Sequence, residues 1–375
     1  MKAAAVIVAA GSGTRFGPDG LKQLMTLGNK PVWRWSFDTF ERHPQISEIV
    51  VVVPPGQQHH FPDAKTTDGG ETRANSVLNG LNALSIDDDA AVLIHDAARP
   101  GLSAETISNL LEAIETASAA APALPVYDAL KREDTTLENV ARDKIRRVQT
   151  PQAFRLGDIK IALSISDPTI VDDLQAIELQ GGDVTLIRGT ERLHKITQPE
   201  DLDWIKEVLL QTETRTGFGF DVHGFEPGDH VTLCGVKIPH TQKLQGHSDA
   251  DAAWHALTDA ILGAIASGDI GDHFPPSDNK WKNAESSKFL SHANELAKKQ
   301  GYSIVNADIT IVCEDPKIKP HRDLMRQATA QCLDVPVDRI SVKATTTEGL
   351  GFTGRREGIA AQANVSLARQ VSKRD

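Results

Sequence analysis

Cysteine is scarce in this chain of 375 residues, which contains only three. Cys234, Cys313 and Cys332 all lie in the C-terminal half, and no two of them have CxxC spacing. This pattern excludes a disulfide framework and a thiolate zinc site of the usual spacing, and it is typical of a reducing cytosol. The sequence therefore predicts a cytoplasmic protein.

Long apolar runs are also missing. The N-terminal run AAAVIVAA follows Lys2 and stops at a glycine loop that contains Arg15. A signal peptide can begin in a similar way, but a membrane span needs ~20 apolar residues and this run is much shorter. We expect a buried first strand and no membrane association.

Basic residues are fewer than acidic residues in this sequence. The chain has 40 Lys and Arg against 51 Asp and Glu, which gives a formal net charge of −11. This balance argues against a broad surface for nucleic acid or anionic membrane, so an anionic substrate must meet a local cluster of Arg and Lys. With 40% hydrophobic residues the chain can bury a sizeable core, and its length predicts two domains.

The first half does contain a regular alternation of strand and helix patterns. The strand patterns AAAVIVA, EIVVVVP, AAVLIHD and APALPV alternate with the helical patterns PVWRWSFDTFERH, RANSVLNGLNAL and AETISNLLEAIETA. Such alternation predicts βαβ units, and hence an α/β domain with a mainly parallel sheet covered on both faces. Ligands of such sheets bind beyond the C-terminal ends of the strands.

A domain boundary is predicted near residue 213. The pattern PEDLDWIKEVLLQ is typical of a helix that starts at Pro199, and the TETRT that follows it is polar and lacks periodicity. Residues 1–212 would then form one domain and 213–375 a second, mixed α/β domain. Its expected strands are GFGFDVH, a hairpin at HVTLCGVKIP, YSIVNADITIVCE, RISVKATT and GIAAQANVSLA. Its expected helices run from Ser248 to about Ser267, near 284–300, and up to Leu333.

The loop VAAGSGTRFG at residues 8–17 is typical of a phosphate-binding loop after a strand. A dinucleotide fingerprint fits poorly, because the glycines are Gly11, Gly13 and Gly17 and the second strand ends in prolines rather than an acidic residue. Arg15 and Lys22 instead bring two cations to the loop, which favours a nucleoside triphosphate that is consumed. By itself the loop could equally be a tight turn with solvated basic residues.

Seven segments in order carry a resemblance to a known family: AAGSGTRFG, KQL, DGGETRANSV, HDAARP, KRED, RVQTPQAF and LHKITQPEDL. Through them, residues 1–210 closely resemble 2-C-methyl-D-erythritol 4-phosphate cytidylyltransferase, which implies a Rossmann-like nucleotidyltransferase domain. The implied CTP-binding residues are Ala9, Ala10, Gly11, Gly70, Glu71 and Ser76. The implied catalytic residues are Arg15, Lys22 and Lys195 at the reacting phosphates, and Arg142 on the methylerythritol phosphate side. Asp96, Arg99 and Thr150 are implied to bind methylerythritol phosphate.

A second group has the residue types of a metal site. Asp221 and His223 in GFGFDVH are two apart and hence on one face of a strand, and His255 and Asp259 are an i,i+4 pair on one face of a helix. An aspartate and two histidines form a three-ligand zinc set that leaves a fourth position open, which is the catalytic arrangement. Any one histidine could instead be an ordinary core or surface residue.

The surrounding segments GHSDADAAWHALTDA, SGDIGDHFP, EDPKIKPH and KATTTEGLGFTGRREGIA resemble 2-C-methyl-D-erythritol 2,4-cyclodiphosphate synthase, over residues 215 to about 370. The resemblance implies zinc at Asp221, His223 and His255, and a second divalent cation, magnesium or manganese, at Glu348. The implied catalytic residues are His247 and Thr346. The implied substrate-binding residues are Ser248, Asp269, Gly271, Lys317, Thr345, Phe352 and Arg355.

Four positions depart from the family patterns. Ala129 and Val171 stand where the cytidylyltransferases usually have threonine hydroxyls. Glu314 and Asp315 stand where the synthases mostly have smaller, uncharged residues. Two carboxylates near a cytidine phosphate would be unfavourable unless they face solvent.

Together the resemblances imply a bifunctional enzyme of non-mevalonate isoprenoid precursor biosynthesis. It would transfer CMP from CTP to 2-C-methyl-D-erythritol 4-phosphate, and cyclise 4-diphosphocytidyl-2-C-methyl-D-erythritol 2-phosphate to the 2,4-cyclodiphosphate with release of CMP. A separate kinase must act between the two steps. The alternatives are an inactive, zinc-stabilised oligomerisation module in the second half, or a sugar nucleotidyltransferase in the first. The resemblance also implies a homo-oligomer with trimeric second domains and paired first domains, which is compatible with a hexamer.

Overall fold

The computed structural model of the chain describes residues 2–11, 21–133, 135–167, 170, 172–246, 248–275, 281 and 284–373. These residues form two units. One runs to Gln211 and takes in Ser372 and Lys373, and the other is Thr212–Val371. Within the described ranges, no helix is both long and apolar enough to cross a bilayer.

The first unit has the predicted alternation of strands and helices. Its strands are β1 (Ala3–Val8), β2 (Thr26–Leu27), β3 (Lys30–Pro31), β4 (Ile46–Val53), β5 (Lys65–Asp68), β6 (Ala91–Asp96), β7 (Ala119–Pro125), β8 (Leu130–Glu133), β9 (Leu137–Val140), β10 (Arg146–Val148), β11 (Gln152–Arg155) and β12 (Val184–Arg188). Its helices are α1 (Val32–Arg42), α2 (Arg73–Asn82), α3 (Ala104–Ala113), α4 (Leu156–Ile165), α5 (Asp173–Leu179) and α6 (Pro199–Leu209).

An eight-stranded sheet forms the centre of this unit, in the order β10-β7-β11-β6-β1-β4-β5 with β12 beside β7. β1 runs parallel to β4 and β6, whereas β11 is antiparallel to β6 and β7. Alternate side chains of β1 enter two hydrophobic clusters: Ile7 joins Trp33 and Phe40, and Val6 joins Val77 and Leu81. The predicted α/β fold with a mainly parallel sheet covered on both faces is therefore confirmed. The parallel strands β1, β4 and β6 end at one edge of the sheet, where the first candidate site lies.

The second unit is the predicted mixed α/β structure. Its strands are β13 (Leu210–Pro227), which begins in the last residues of the first unit, β14 (His230–Leu233), β15 (Val236–Pro239), β16 (Gln242–Leu244), β17 (Ser303–Val312), β18 (Ile340–Thr345) and β19 (Gly358–Ser372). Its helices are α7 (Ala252–Ala264), α8 (Ile270–His273), α9 (Ser286–Lys299), α10 (Arg322–Leu333) and α11 (Gly351–Gly354). The main sheet has the order β16-β13-β19-β17-β18.

Two local features differ from the sequence-based expectation. The aperiodic stretch TETRT lies inside β13. Helix α7 begins at Ala252 rather than Ser248, because the Asp251 side chain accepts a hydrogen bond from the Trp254 N–H at 3.0 Å and caps the helix there. The helix stops at Ala264, and Ala266 has a positive φ of 53°.

Helix α7 packs on β13 at two glycines. A Cβ atom at Gly217 would lie 1.8 Å from the carbonyl oxygen of Ala260, and one at Gly219 would lie 1.9 Å from that of Ala256. Only glycine permits such a close approach of strand and helix backbones. This contact brings His255 on α7 next to Asp221 and His223 on β13.

Candidate active sites

The first candidate site is a cleft of about 450 Å³ beyond the ends of the parallel strands. Its lining includes these predicted residues: Ala9, Ala10, Gly11, Lys22, Gly70, Glu71, Ser76, Asp96 and Lys195. The buried side chain of Gln23 donates to the carbonyl oxygen of Ala9 at 2.6 Å and orders the start of the glycine loop. Lys22 Nζ donates to the carbonyl oxygen of Ile196 at 2.8 Å. Residues far apart in the sequence thus meet in one cationic cleft.

Asp96 is the centre of the charge network in this cleft. Its carboxylate lies 2.9 Å from Lys195 Nζ, 3.3 Å from Arg99 Nε and 3.6 Å from Arg73 Nε. Burial acts to raise the pKa of Asp96, but Lys195, Arg73 and Arg99 hold that pKa well below its usual range. The ionised carboxylate therefore fixes three cations at the place where substrate phosphates would arrive.

Arg73 is a site residue that the sequence reasoning missed. Its guanidinium forms two contacts of 2.9 Å with the fully buried carboxylate of Asp173, the first residue of α5. Burial acts to lower the pKa of Arg73, but Asp173 and Asp96 raise it above its usual value. A signal was present, because Arg73 is the first residue of α2, where the helix dipole disfavours a cation unless carboxylates face it.

Two predicted hydroxyls are already engaged with the backbone. Ser76 Oγ accepts from the Gly70 N–H at 3.0 Å and donates to the Thr72 carbonyl oxygen at 2.9 Å. Thr150 Oγ1 accepts from the Asp96 N–H at 3.0 Å and is buried. Both side chains hold parts of the cleft in place.

The remaining predictions for the first unit fall elsewhere. Arg142 is exposed beyond β9, where it donates to the Tyr127 carbonyl oxygen, and it does not line the cleft in the described part of the chain. Ala129 is also exposed, next to the two-stranded β8–β9 hairpin. Arg15 and Val171 lie outside the described residues.

The second candidate site is the predicted metal cluster. The potential ligand atoms of Asp221, His223 and His255 all lie within 4.8 Å of one another. Asp221 Oδ2 is 2.9 Å from His223 Nε2 and 3.0 Å from His255 Nδ1, and the two ring nitrogens are 3.1 Å apart. Burial acts to raise the pKa of Asp221, but hydrogen bonds from both imidazoles hold it well below its usual range. One carboxylate and two imidazoles that converge in this way fit a divalent transition metal.

His223 has its tautomer set by the backbone. Its Nδ1 lies 2.7 Å from the carbonyl oxygen of Gln245, which can only accept, so Nδ1 carries a proton and Nε2 is the nitrogen that would offer its lone pair to a metal ion in place of the hydrogen bond to Asp221. This is the arrangement expected for a metal-ligating histidine. Gln245 acts through its main chain, so no side-chain pattern could have revealed it.

Asp259 is not part of the cluster, although it shares a helix face with His255. Its Oδ1 accepts from the Ile270 N–H at 2.8 Å. Asp269 caps α8 by accepting from the Asp272 N–H at 3.0 Å. Asp259 therefore orders the segment that carries the predicted substrate residues Asp269 and Gly271, both of which are exposed.

A smaller cleft of about 190 Å³ lies at the end of β18, where Lys317, Thr345 and Thr346 line it. Thr346 Oγ1 donates to Glu348 Oε1 at 2.8 Å. Glu348 is exposed and has a positive φ of 53°. A predicted phosphate-binding hydroxyl and the predicted second cation ligand are therefore adjacent.

The two unusual carboxylates beside this cleft have structural partners. Glu314 Oε1 accepts from the N–H groups of Thr347 at 3.1 Å and Gly349 at 3.3 Å. Asp315 forms an ion pair of 3.3 Å with Arg356. Glu314 thus shapes the turn that presents Glu348.

Within one chain, two strands separate the metal cluster from the smaller cleft that Thr345 and Thr346 line. β19 and β17 lie between β13 and β18, and three strand spacings correspond to about 14 Å. The predicted Arg355 is exposed and pairs with Glu357 at 2.9 Å, and Phe352 lies 38% exposed on α11. His247 lies outside the described residues, whereas Ser248 lies 3.2 Å from His255.

Comparison with known proteins identifies both halves. Residues 3–211 match the family model of 2-C-methyl-D-erythritol 4-phosphate cytidylyltransferase, and residues 214–368 match that of the YgbB family. The bifunctional enzyme IspD/IspF of Hyphomonas neptunium is 57% identical over 365 residues, which cover 96% of this chain and 97% of that protein. The corresponding enzyme of Caulobacter vibrioides is 50% identical over 376 residues, with coverages of 96% and 98%.

A solved structure agrees with these relatives. The bifunctional IspDF from Campylobacter jejuni is 36% identical, has a TM-score of 0.50, and is matched over 98% of this chain and 99% of that one. The predicted pair of activities is confirmed, and neither an inactive second half nor a sugar nucleotidyltransferase is favoured. The chain is therefore a cytidylyltransferase joined to a cyclodiphosphate synthase, and it belongs to the bifunctional IspD/IspF family of the non-mevalonate pathway.

Proposed function

We propose that residues 1–212 transfer CMP from CTP to 2-C-methyl-D-erythritol 4-phosphate, and that residues 213–375 cyclise 4-diphosphocytidyl-2-C-methyl-D-erythritol 2-phosphate. The observation that carries the proposal is the pairing of two different sites in one chain. A cleft with Lys22 and Lys195 suits a triphosphate, and the cluster of Asp221, His223 and His255 suits a metal-assisted attack on a diphosphate. Steady-state assays of both half reactions on the purified full-length protein test it.

In the first reaction, an oxygen of the methylerythritol 4-phosphate attacks the α-phosphorus of CTP, and the bond to the bridging oxygen breaks to release pyrophosphate. This chain contributes positions and charges to that step. Ala9, Ala10 and Gly70 line the part of the cleft in which the cytidine would rest. Lys22 and Lys195 neutralise the charge that develops on the phosphates, and Asp96 holds Lys195 in place.

In the second reaction, an oxygen of the 2-phosphate attacks the β-phosphorus, and the bond to the bridging oxygen breaks to release CMP. Zinc at the histidine cluster and magnesium or manganese at Glu348 would supply Lewis-acid neutralisation of the diphosphate. A single exposed carboxylate fits the second cation, because Mg²⁺ commonly takes one or two carboxylates together with substrate phosphates. Thr345 and Thr346 offer hydroxyls to the phosphate oxygens, and Lys317 adds a positive charge in the same cleft.

Replacing Lys22 by alanine tests the first site. We expect Lys22→Ala to lower the kcat of cytidylyl transfer by about 10²–10³-fold, because a positioned charge that stabilises the transition state is lost. Cyclisation should be unchanged, since Lys22 lies in the other unit. The matched control Lys30→Ala removes a lysine that pairs with Asp38 outside the cleft. A parallel fall of both activities, or no fall in either, would refute the role of Lys22.

We further propose that the second units associate so that active sites lie between subunits. Phe218, Phe220 and Val222 form an apolar stripe on one face of β13, with exposures of 59%, 50% and 38%. Monomers rarely expose such contiguous apolar surface, so the stripe supports an interface. The two intervening strands between the cluster and Thr346 favour a site shared with a neighbouring chain. A trimer of second units, joined through paired first units, would close as a hexamer.

Mixing two variants with impaired cyclisation tests this assembly. We expect His255→Ala and Thr346→Ala chains, each weakly active alone, to regenerate intact sites when they are unfolded and refolded together. Random mixing would restore about a quarter of the sites if each site takes one residue from each of two chains. Mixed oligomers, verified by mass, that recover no cyclisation would contradict shared sites, and light scattering that shows a monomer would exclude them.

We also propose a cytoplasmic location and a functional link to a separate kinase. The product of the first reaction has no 2-phosphate, which is the group that attacks in the second. A phosphorylation step on the 2-hydroxyl must therefore come between them.

A further inference from the structure

Behind the metal cluster, a chain of hydrogen bonds runs from His255 to a carboxylate. His255 Nε2 lies 2.9 Å from Oγ of Ser286, and Ser286 Oγ is hydrogen-bonded to Oδ1 of Asp249. Ser286 is the first residue of α9 and is 0% exposed. On the opposite side of the ring, His255 Nδ1 faces Asp221 and His223. The imidazole thus connects the cluster with a buried serine and an aspartate.

The direction of each hydrogen bond in this chain follows from the groups involved. An ionised carboxylate can only accept, so the hydroxyl proton of Ser286 points to Asp249. A serine has one proton, and Ser286 Oγ can then only accept from His255. His255 must therefore carry a proton on Nε2, so Nδ1, the atom that faces Asp221, is the nitrogen that would offer its lone pair to a metal ion in place of the hydrogen bond to Asp221.

The second hydroxyl near His255 does not impose this choice. Ser248 Oγ lies 3.2 Å from His255 Nε2 and accepts from the Ala250 N–H at 3.1 Å. Its own proton remains available, so Ser248 could donate to His255 as well as accept from it. The Ser286 hydroxyl is directed by Asp249 and has no such freedom.

The two histidines of the cluster consequently present different ring nitrogens. His223 presents Nε2, because the Gln245 carbonyl holds the proton on Nδ1. His255 presents Nδ1, because Ser286 and Asp249 hold the proton on Nε2. We propose that Asp249 and Ser286 are positioning residues for metal binding, which fix the tautomer of His255 so that its Nδ1 lone pair is offered to a divalent metal ion. This inference rests on the zinc site proposed above.

We call the hydrogen-bonded chain His255–Ser286–Asp249 the relay. Two substitutions interrupt it at different residues. Ser286→Ala removes the acceptor for the His255 Nε2–H. Asp249→Ala removes the acceptor for the Ser286 proton, which is then free to turn to His255 and shift the imidazole proton to Nδ1. Loss of a partner that orients a metal-ligating histidine typically weakens metal binding 10- to 100-fold. We expect each variant to show a loss of about this size in zinc affinity, measured on the full-length protein by competition with a chromophoric chelator.

Two further variants separate the relay from mere packing of α9. Ser286→Thr keeps the hydroxyl and should restore zinc affinity toward the wild-type value. Ser287→Ala removes the neighbouring hydroxyl on the same helix turn and should bind zinc as the wild type does. In zinc-loaded protein with ¹⁵N-labelled histidine, the Nε2–H of His255, assigned by comparison with His255→Ala, should be protected from exchange with water in the wild type and should exchange faster in Ser286→Ala and Asp249→Ala.

The outcomes are distinct. Wild-type zinc affinity in Ser286→Ala overturns the relay. A loss of zinc affinity in Asp249→Ala with unchanged protection of the His255 Nε2–H also overturns it, because the loss then comes from packing. Zinc retained at full stoichiometry and affinity in His255→Ala would overturn the zinc site itself, and the relay with it.

Discussion

Removal of any one ligand of the metal cluster should empty the second site and leave the first one working. We expect Asp221→Ala, His223→Ala and His255→Ala each to lower the zinc content and to reduce CMP release by cyclisation by about 10³-fold or more. The physical reason is that a metal which neutralises developing phosphate charge supplies several kcal/mol, and each 1.36 kcal/mol changes the rate tenfold. Metal analysis and separate assays of the two reactions measure both effects.

The control for this experiment is a histidine of the same unit outside the cluster. His230 pairs with Asp229 through Nδ1, and His230→Ala should keep both zinc and cyclisation. Cytidylyl transfer should continue in all four variants, because its cleft is built by the first unit. Zinc at wild-type stoichiometry in all three ligand variants would refute the site.

The second large effect is expected at Gly219. A Cβ in Gly219→Ala would lie 1.9 Å from the Ala256 carbonyl oxygen, so α7 must move away from β13. Overpacking against a rigid backbone costs about 3 kcal/mol in the free energy of unfolding. Displacement of α7 also carries His255 away from Asp221 and His223, so zinc affinity should fall with stability. Urea unfolding, together with hydrogen exchange in peptides from β13 and α7, measures the change and locates it.

Gly263→Ala is the matched control for this substitution. Gly263 lies on α7 itself, and a Cβ there would have no heavy atom within 4 Å apart from its chain neighbours and the nearby backbone of its own helix. Because alanine favours a helix over glycine, this variant should be stabilised by about 0.5–1 kcal/mol. Equal stability of the Gly219→Ala and wild-type proteins would show that the contact between α7 and β13 does not hold the cluster together.

The sequence was informative wherever a local pattern decides which side of an element faces the core. The alternation of AAAVIVA, EIVVVVP and AAVLIHD with amphipathic helices predicted the parallel sheet, because short, β-branched apolar runs between helices are typical of strands covered on both faces. The spacing of Asp221 and His223 placed both on one face of a strand, as the structure has them. The position of a phosphate site beyond the C-terminal ends of the strands followed from the predicted parallel sheet.

Such patterns did not predict where a side chain caps a helix or which residues distant in the sequence are in contact. Helical periodicity placed Asp259 on the face of His255, but the tertiary structure turns its carboxylate to the Ile270 N–H. The start of α7 moved to Ala252 because the Asp251 side chain competes locally for a backbone N–H. Arg73 joined the first site through its contacts with Asp173 at the start of α5 and with Asp96.

By itself, the sequence determined the two folds through its short repeats of burial, and its resemblance to two known families indicated the two chemistries. The tertiary structure decided which side chains work together. It set Asp96 among Lys195, Arg73 and Arg99, and it placed the metal cluster two strands away from Thr346. The physical reason is that contacts between distant residues depend on strand order and on close packing, such as that of α7 on Gly219, which no local periodicity encodes.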